Sequence, residues 1–396
     1  MSPSPFAFFR GAAAVMAADL APGPRSGLTV QLCGDAHLSN FGTYASPERQ
    51  LVFDVNDFDE TIAGPFEWDL KRLVASLRIE AEQKEFDDAA CEMIARRTAE
   101  EYRTSIGRLA EMRTLDVWYS YLTPENLRRL EEIANDKRAQ LQIERYADKA
   151  RSRDNLQALS KLAEKVDGRY RIRSEPPLLV PMRDVGAQNR PDELTAMAWD
   201  DFGSFKASLG DDHRHLLERF EPVDLAIKVV GVGSVGTRCF VVLLQGRDAE
   251  DPLFLQVKEA NRSVLEQHVE PSPYDNQGQR VVEGQRLMQA TSDIFLGWSR
   301  DTEAPDFYWR QLRDWKGSSH VVLDDPLDLE RYGRLCAATL ARAHARSGDA
   351  IAIAAYLGRS DRFDRALAEF AAKYAVQNLA DFRGFTAAMK AVAAPG

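Results

Sequence analysis

The sequence predicts an α+β protein of two lobes, a helical one and a smaller one built on an antiparallel sheet. Three observations carry that expectation. Helical spacing dominates residues 1–220, the texture turns β-branched and apolar from Asp224 to about residue 312, and helical spacing then returns to the end. A chain of 396 residues is long enough to bury two sizeable cores.

Taken in order, residues 5–20 read as a helix. Leu28–Cys33 alternates as a strand and runs into Gly34-Asp35-Ala36-His37-Leu38-Ser39-Asn40. A short apolar strand, Leu51–Phe53, leads to an acidic turn, Asp54 to Glu60, then Gly64-Pro65 and a helix from about Trp68. Residues 83–165 are helical in pattern. Residues 166–200 hold several prolines and read as an irregular connector, and 204–220 as another helix. Strands are expected at 225–232, 237–245 and 253–258, a helix at 276–290, and short strands at 293–299 and 306–312. In 329–346, Tyr332, Cys336, Leu340 and Ala343 share one helical face.

Bulk properties narrow the function. Hydrophobic content of 44% and charged content of 28% suit a soluble globular protein. A net charge of −10 argues against non-specific nucleic-acid binding, which needs a basic footprint. An acidic protein can still hold phosphate through clustered backbone N–H groups and a lysine. Cys33, Cys91, Cys239 and Cys336 lie far apart with no CxxC pair, so reduced thiols and a cytoplasmic location are expected. No apolar run approaches the roughly 20 residues that span a bilayer. Phe6–Leu20 is interrupted by Arg10 and Asp19 and lacks a basic start, which reads as a folded helix and not a signal peptide.

Two constellations point to phosphate chemistry. In the first, Asp35 follows a strand on a tight turn, Asn40 comes five residues later, and Asp57 follows the next strand. Hard oxygen ligands on adjacent loops suit Mg²⁺, and a separate carboxylate can accept the proton of an attacking hydroxyl. Taken singly, Asp and Asn also simply make turns. In the second, Gly231, Gly233 and Gly236 form GxGxxG between two expected strands, and Lys258 ends the strand after them. A dinucleotide fold would need a helix straight after the glycines, but Thr237–Leu244 is β-branched. Strand, glycine loop, strand is the arrangement in which backbone amides lie over nucleotide phosphates in kinases. Plain readings stand beside these: a hairpin turn for the glycines and a surface lysine for Lys258.

CGDAHLSN resembles the catalytic loop of aminoglycoside- and choline-kinase-like enzymes, HGDxHxxN, and NDFDETIAGPFEWDL resembles their metal-binding segment. The resemblance implies Asp35 as catalytic base, Asn40 and Asp57 as Mg²⁺ ligands, and Asp69 as a buried carboxylate bracing the loop. Cys33 stands where that pattern has His, which bears on the bracing. Lys258 would contact the α- and β-phosphates of ATP, with Glu283 as its ion-pair partner and Glu266 as a rival. LARAHARSGD resembles the helix that precedes the catalytic loop in such enzymes, yet lies near the C-terminus; His344 within it also reads as a packed or capping histidine. The order of parts therefore implies a protein-kinase-like two-lobed fold, circularly permuted, with the C-terminal helices returning to the helical lobe.

The stretches SPFAFFRGAA, CGDAHLSNFG, NDFDETIAGPFEWDLKRLVASL, VVGVGSVGTR, FLQVKEA, GQRVVEGQRLMQ, DFYWRQLRDWKGS and LARAHARSGD together resemble the uncharacterised bacterial domain-of-unknown-function family 2252. That resemblance implies an upstream helical segment before SPFAFFRGAA. The expected divisions are 1–220 for the helical lobe, 221–315 for the nucleotide-binding β lobe and 316–396 for the C-terminal helices. Weaker polar candidates are Arg10, Arg310 and Arg313, while Trp309 and Trp315 read as packing residues.

The favoured reading is a Mg-ATP phosphotransferase acting on a small molecule. Nucleotidyl transfer would use the same residues. A nucleotide-binding regulatory module without turnover is the alternative. A metal-dependent phosphohydrolase is a third reading, which would need further His/Asp ligands and leave Lys258 without a role.

Overall fold

The computed structural model describes residues 4–125, 136–186, 191–229, 237–300, 305–312, 315 and 323–393. It is a mixed α+β structure in which a helical body carries small antiparallel sheets. The N-terminal apolar segment forms two helices, α1 (Pro5–Arg10) and α2 (Ala13–Leu20), and not one. Gly11 caps α1 and ends it. Strand β1 (Thr29–Leu32) pairs antiparallel with β4 (Ile62–Pro65), and β2 (Phe41–Ala45) with β3 (Leu51–Val55). The segment after Asn40 and the one before Gly64 are thus strands that sequence pattern does not announce.

Helix α3 (Phe66–Gln83) starts directly at the end of β4, with Glu67 and Asp69 in its first turn favouring the helix dipole. It is buried on nearly every side, because α4 (Asp88–Ala110), α11 (Pro326–Ser347) and α13 (Arg362–Ala393) enclose it. Together they form the main core, which includes Leu73, Val74, Leu77, Ala99, Tyr102, Leu340 and Ala371. Tight N-caps hold these helices in register: Asp87 accepts from Ala90 N–H at 2.8 Å, and Asp325 from Leu327 N–H at 2.8 Å ahead of Pro326. The short α12 (Ala350–Leu357) joins α11 to α13.

The helical stretch expected over 83–165 is divided into α4, α5 (Thr114–Tyr119), α6 (Lys137–Arg151) and α7 (Asn155–Leu162), followed at once by β5 (Ala163–Val166). The stretch 166–200, expected to be irregular, holds β6 (Arg169–Ile172), β7 (Leu179–Pro181) and most of α8 (Pro191–Ala207); α9 (Asp211–Leu217) follows. Prolines here sit at element edges, where the missing N–H costs little.

From Glu221 the chain builds the largest sheet: β8 (Glu221–Lys228), β9 (Cys239–Gln245), β10 (Pro252–Glu259), helix α10 (Gln277–Met288), β11 (Gly297–Ser299) and β12 (Phe307–Gln311). The strand order is β11-β12-β10-β9-β8-β7, antiparallel throughout. Residues before 221 therefore supply its edge strand β7. Alternation along the strands sets two faces. Leu225, Val242, Leu255, Val257 and Trp309 face α8 and α9 through Phe202, Phe205 and Leu217. On the other face, Ala226, Val241, Leu243 and Phe254 pack under α7 and the β5–β6 hairpin. The register puts Lys258, Gln256, Tyr308 and Arg310 on that second face, where Asp59 of the acidic turn meets Lys258 and Tyr308. Among the described residues, no helix is long and apolar enough to cross a membrane.

Candidate functional site

The loop after β1 begins at Gly34, whose φ of +85° is the left-handed region glycine favours. A Cβ there would lie 2.1 Å from the carbonyl oxygen of Glu60, so the turn bearing Asp35 and the acidic turn meet backbone to backbone. Asp69, 1% exposed at the start of α3, braces the loop: its carboxylate accepts from Cys33 N–H (2.8 Å) and Gly34 N–H (3.0 Å). His344 on α11 is fully buried, with Nε2 3.4 Å from Asp69 Oδ2 and Nδ1 2.7 Å from the Tyr102 hydroxyl. The bracing that Cys33 put in question is thus met by its backbone and by His344 from the far end of the chain. Nearby, Ser347 accepts from Gln31 N–H at 3.2 Å, seating the end of α11 on β1.

Asp35 is partly exposed and ion-paired with Arg72, whose guanidinium also donates to Phe9 O (2.9 Å) and lies over the Phe9 ring. Its other oxygen is 3.6 Å from His37 Nε2. His37 is buried and accepts from Ser39 N–H through Nδ1; burial lowers its pKa to about 4. Asn40 donates its amide to the Asp35 carbonyl at 2.8 Å, which orients its side-chain oxygen away from that bond as an acceptor. The Asn40 carbonyl accepts from Asn56 N–H, fixing Asp57 beside the loop.

The acidic turn sorts its carboxylates by role. Asp54 is buried and bound to Arg342 of α11 at 2.6 and 2.7 Å, an internal tie. Asp57 is half-buried and receives Asp59 N–H at 3.3 Å. Asp59 takes Lys258 Nζ at 2.5 Å and the Tyr308 hydroxyl at 2.6 Å. Glu60 accepts from Val264 N–H at 2.7 Å, and burial raises its pKa to about 7. Burial alone would pull Lys258 down, but the carboxylates of Asp57 and Asp59 outweigh it and hold the ammonium well above its ordinary value. Helix α10 closes the turn from behind. Arg280 donates to the carbonyls of Thr61 (2.6 Å), Asp59 (2.9 Å) and Asn261 (2.7 Å).

The structure therefore brings Asp35, Asn40, Asp57 and Lys258 to one place. Glu283 is not with them: it points to Arg286 at 3.1 Å, and the carboxylate on Lys258 is Asp59. From the same helix it is Arg280 that reaches the turn. The rival Glu266 accepts from Ser272 N–H and is likewise apart from the lysine. Gly231, Gly233 and Gly236 lie outside the described residues, as does Arg313. Arg310 faces the site, donating to Gln256 Oε1 (3.0 Å) and to the Asn56 carbonyl (3.2 Å). Trp309 stacks on Phe205 at 4.7 Å, Trp315 lies under Arg49 at 4.3 Å, and Arg10 has a buried Nε without a hydrogen-bond partner among the described residues. Asp59, Tyr308 and Arg280 are the site residues that pattern reading missed. A second acid two residues after Asp57 was the available signal for the first of them.

A cleft of about 280 Å³ opens beside Asn56, lined among others by Tyr44, Arg49, Gln285, Gln289 and Arg310. Among the described residues, no three His, Cys, Asp or Glu side chains cluster as a ready-made metal site. Mg²⁺ at a phosphate site needs less than that, one or two protein oxygen ligands plus phosphate and water, and Asp57 with the Asn40 oxygen fits it. No curated protein and no solved structure matches the sequence. A family model matches residues 1–388, and the chain belongs to that family, described as an uncharacterized protein conserved in bacteria (DUF2252).

Proposed function

We propose that this protein is a Mg-ATP-dependent phosphotransferase with a circularly permuted, kinase-like arrangement, acting on a small molecule. The observation that carries the reading is the contact between Lys258 and the acidic turn: Nζ lies 2.5 Å from Asp59, two residues from Asp57, although 199 positions separate them in sequence. Further support is the order of parts. A hairpin flanks the glycine segment, the next strand carries Lys258 one residue before its end, α10 follows, and β11 and β12 return to pair beyond the lysine strand. The seating of Ser347 on Gln31 joins the last helix of the motif to the strand that leads into Asp35, as a permutation requires.

In this reading Lys258 and the glycine segment hold the nucleotide phosphates. Asp57 and the Asn40 oxygen hold Mg²⁺, whose contribution is to neutralise charge on the transferred group. Asp35 Oδ2 accepts the proton of the acceptor hydroxyl, while Arg72 holds the carboxylate and the Asn40 amide holds the Asp35 main-chain carbonyl. Nucleotidyl transfer would call on the same groups.

A second reading, nucleotide binding without turnover, is favoured by two observations. Asp35 and Lys258 are both engaged within the protein, and α7 with the β5–β6 hairpin covers the apolar end of the lysine's sheet face. ATP labelled on the γ-phosphate separates the two. Mg²⁺-dependent transfer or release of label that disappears in Asp57→Asn supports the phosphotransferase; binding with no transfer or release supports the second reading; no binding rejects both.

A further inference from the structure

We propose that Asp59 is the positioning residue for Lys258, replacing a carboxylate from α10; as a statement about a nucleotide site, this rests on the phosphotransferase reading. The geometry is a closed unit. One Asp59 oxygen takes the lysine at 2.5 Å, and the other takes the Tyr308 hydroxyl at 2.6 Å. Tyr308 stands directly opposite Lys258 in the β10–β12 register, so both partners of the carboxylate come from one cross-strand pair. The turn cannot drift away from them, because Arg280 holds the Asp59 and Thr61 carbonyls and Ser263 donates to the Glu60 carbonyl at 2.9 Å. Glu283 is spent on Arg286, one turn along the same helix.

The usual division of labour between helix and turn is thereby reversed. Helix α10 supplies a cation to the turn's carbonyls, and the turn supplies the carboxylate to the lysine. The consequence is coupling: the carboxylate expected to hold metal, Asp57, and the one that orients the lysine sit two residues apart on one pinned turn. Metal placement and lysine placement therefore move together.

The test compares wild type, Asp59→Asn, Asp59→Glu, Tyr308→Phe and Glu283→Gln, with thermal melts to establish that each is folded. In the absence of nucleotide, Lys258 is labelled by a small amine-acylating reagent at fixed pH and quantified by peptide mass spectrometry. Labelling at least fivefold faster in Asp59→Asn, a smaller acceleration in Tyr308→Phe, and a wild-type rate in Glu283→Gln support the assignment. An unchanged rate in Asp59→Asn, or an accelerated one in Glu283→Gln, overturns it. Mg-ATP affinity is then measured on the same proteins. A loss of about tenfold in Asp59→Asn, partly recovered in Asp59→Glu, with Glu283→Gln unaffected, supports the nucleotide role; equal affinities overturn it. If wild type does not bind Mg-ATP, the phosphotransferase reading fails, while the labelling arm still decides which carboxylate holds the lysine. Should Asp59→Asn not fold, Tyr308→Phe carries the labelling arm: a wild-type rate there overturns the assignment.

Discussion

At the scale of single residues, environment decides what each titratable group can do. His37 and Asp35 are two residues apart, but His37 is enclosed and its nitrogen is committed to Ser39 N–H, whereas Asp35 keeps solvent access. A histidine lowered to about 4 by burial binds fewer protons folded than unfolded between about pH 4 and its ordinary value near 6.5. Its contribution to stability is therefore present above about pH 6.5 and is lost as pH falls through about 4. Replacing His37 by Asn keeps an acceptor for Ser39 N–H and removes the titration. Denaturant unfolding of the two proteins between pH 7 and pH 4 is expected to show the variant losing less stability, by up to about 3 kcal/mol. Parallel pH dependence would show that His37 titrates normally. The same scale explains an error of sequence reading. The segment from Asp54 to Glu60 holds four acids, and only the fold assigns them to Arg342, Asp59 N–H, Lys258 and Val264 N–H. Resemblance singled out Asp57; the second acid two residues on marked Asp59 as a candidate, but only the fold shows that it meets Lys258.

At the scale of elements, close approach between α10 and the acidic turn is what builds the site. Gly284 faces Thr61, and a Cβ there would lie 2.4 Å from Thr61 Oγ1. That hydroxyl cannot give way easily, since it donates to the Leu32 carbonyl at 2.6 Å and accepts from Gln31 at 2.8 Å. Gly284→Ala is accordingly expected to destabilise the protein by about 1–3 kcal/mol despite the better helix propensity of alanine, read as a lowered denaturant midpoint. A neutral or stabilising effect would contradict this packing. Arg280→Met removes the donors from one buried and two partly buried carbonyl contacts and keeps part of the apolar stem. A loss of about 2–4 kcal/mol is expected from the unpaired acceptors, and a stability equal to wild type would show that the turn holds itself. The placement of α10 was legible, because its apolar spacing is regular. Which of its polar residues meets the turn was not, because Arg280 and Glu283, three residues apart, are neighbours on the helix surface.

At the scale of the whole molecule, the sequence pattern anticipated β-structure from about Asp224 and helices after it, whereas β1 to β7 lie in the part expected to be mainly helical. Strands β8 to β10 were legible because their β-branched runs are bounded by Gly and Asp. β2 was not: Phe41-Gly42-Thr43-Tyr44-Ala45 lacks a strand's alternation and is strand only because β3 lies beside it. The stretch 155–217 was the least legible. Its helices and hairpin are fixed by what they cover, namely the two faces of a sheet that the chain has yet to make at that point. The joining of Asp35, Asp57 and Lys258 was an expectation drawn from resemblance, and here they share one region of the molecule. Whether that region binds nucleotide is decided most directly by titrating ATP, with and without Mg²⁺, into wild type, Lys258→Met and Asp57→Asn. The account predicts that Mg²⁺ strengthens binding to wild type, that Lys258→Met weakens it at least tenfold, and that Asp57→Asn no longer responds to Mg²⁺. Indistinguishable titrations of the three proteins, or no binding by wild type, would contradict it.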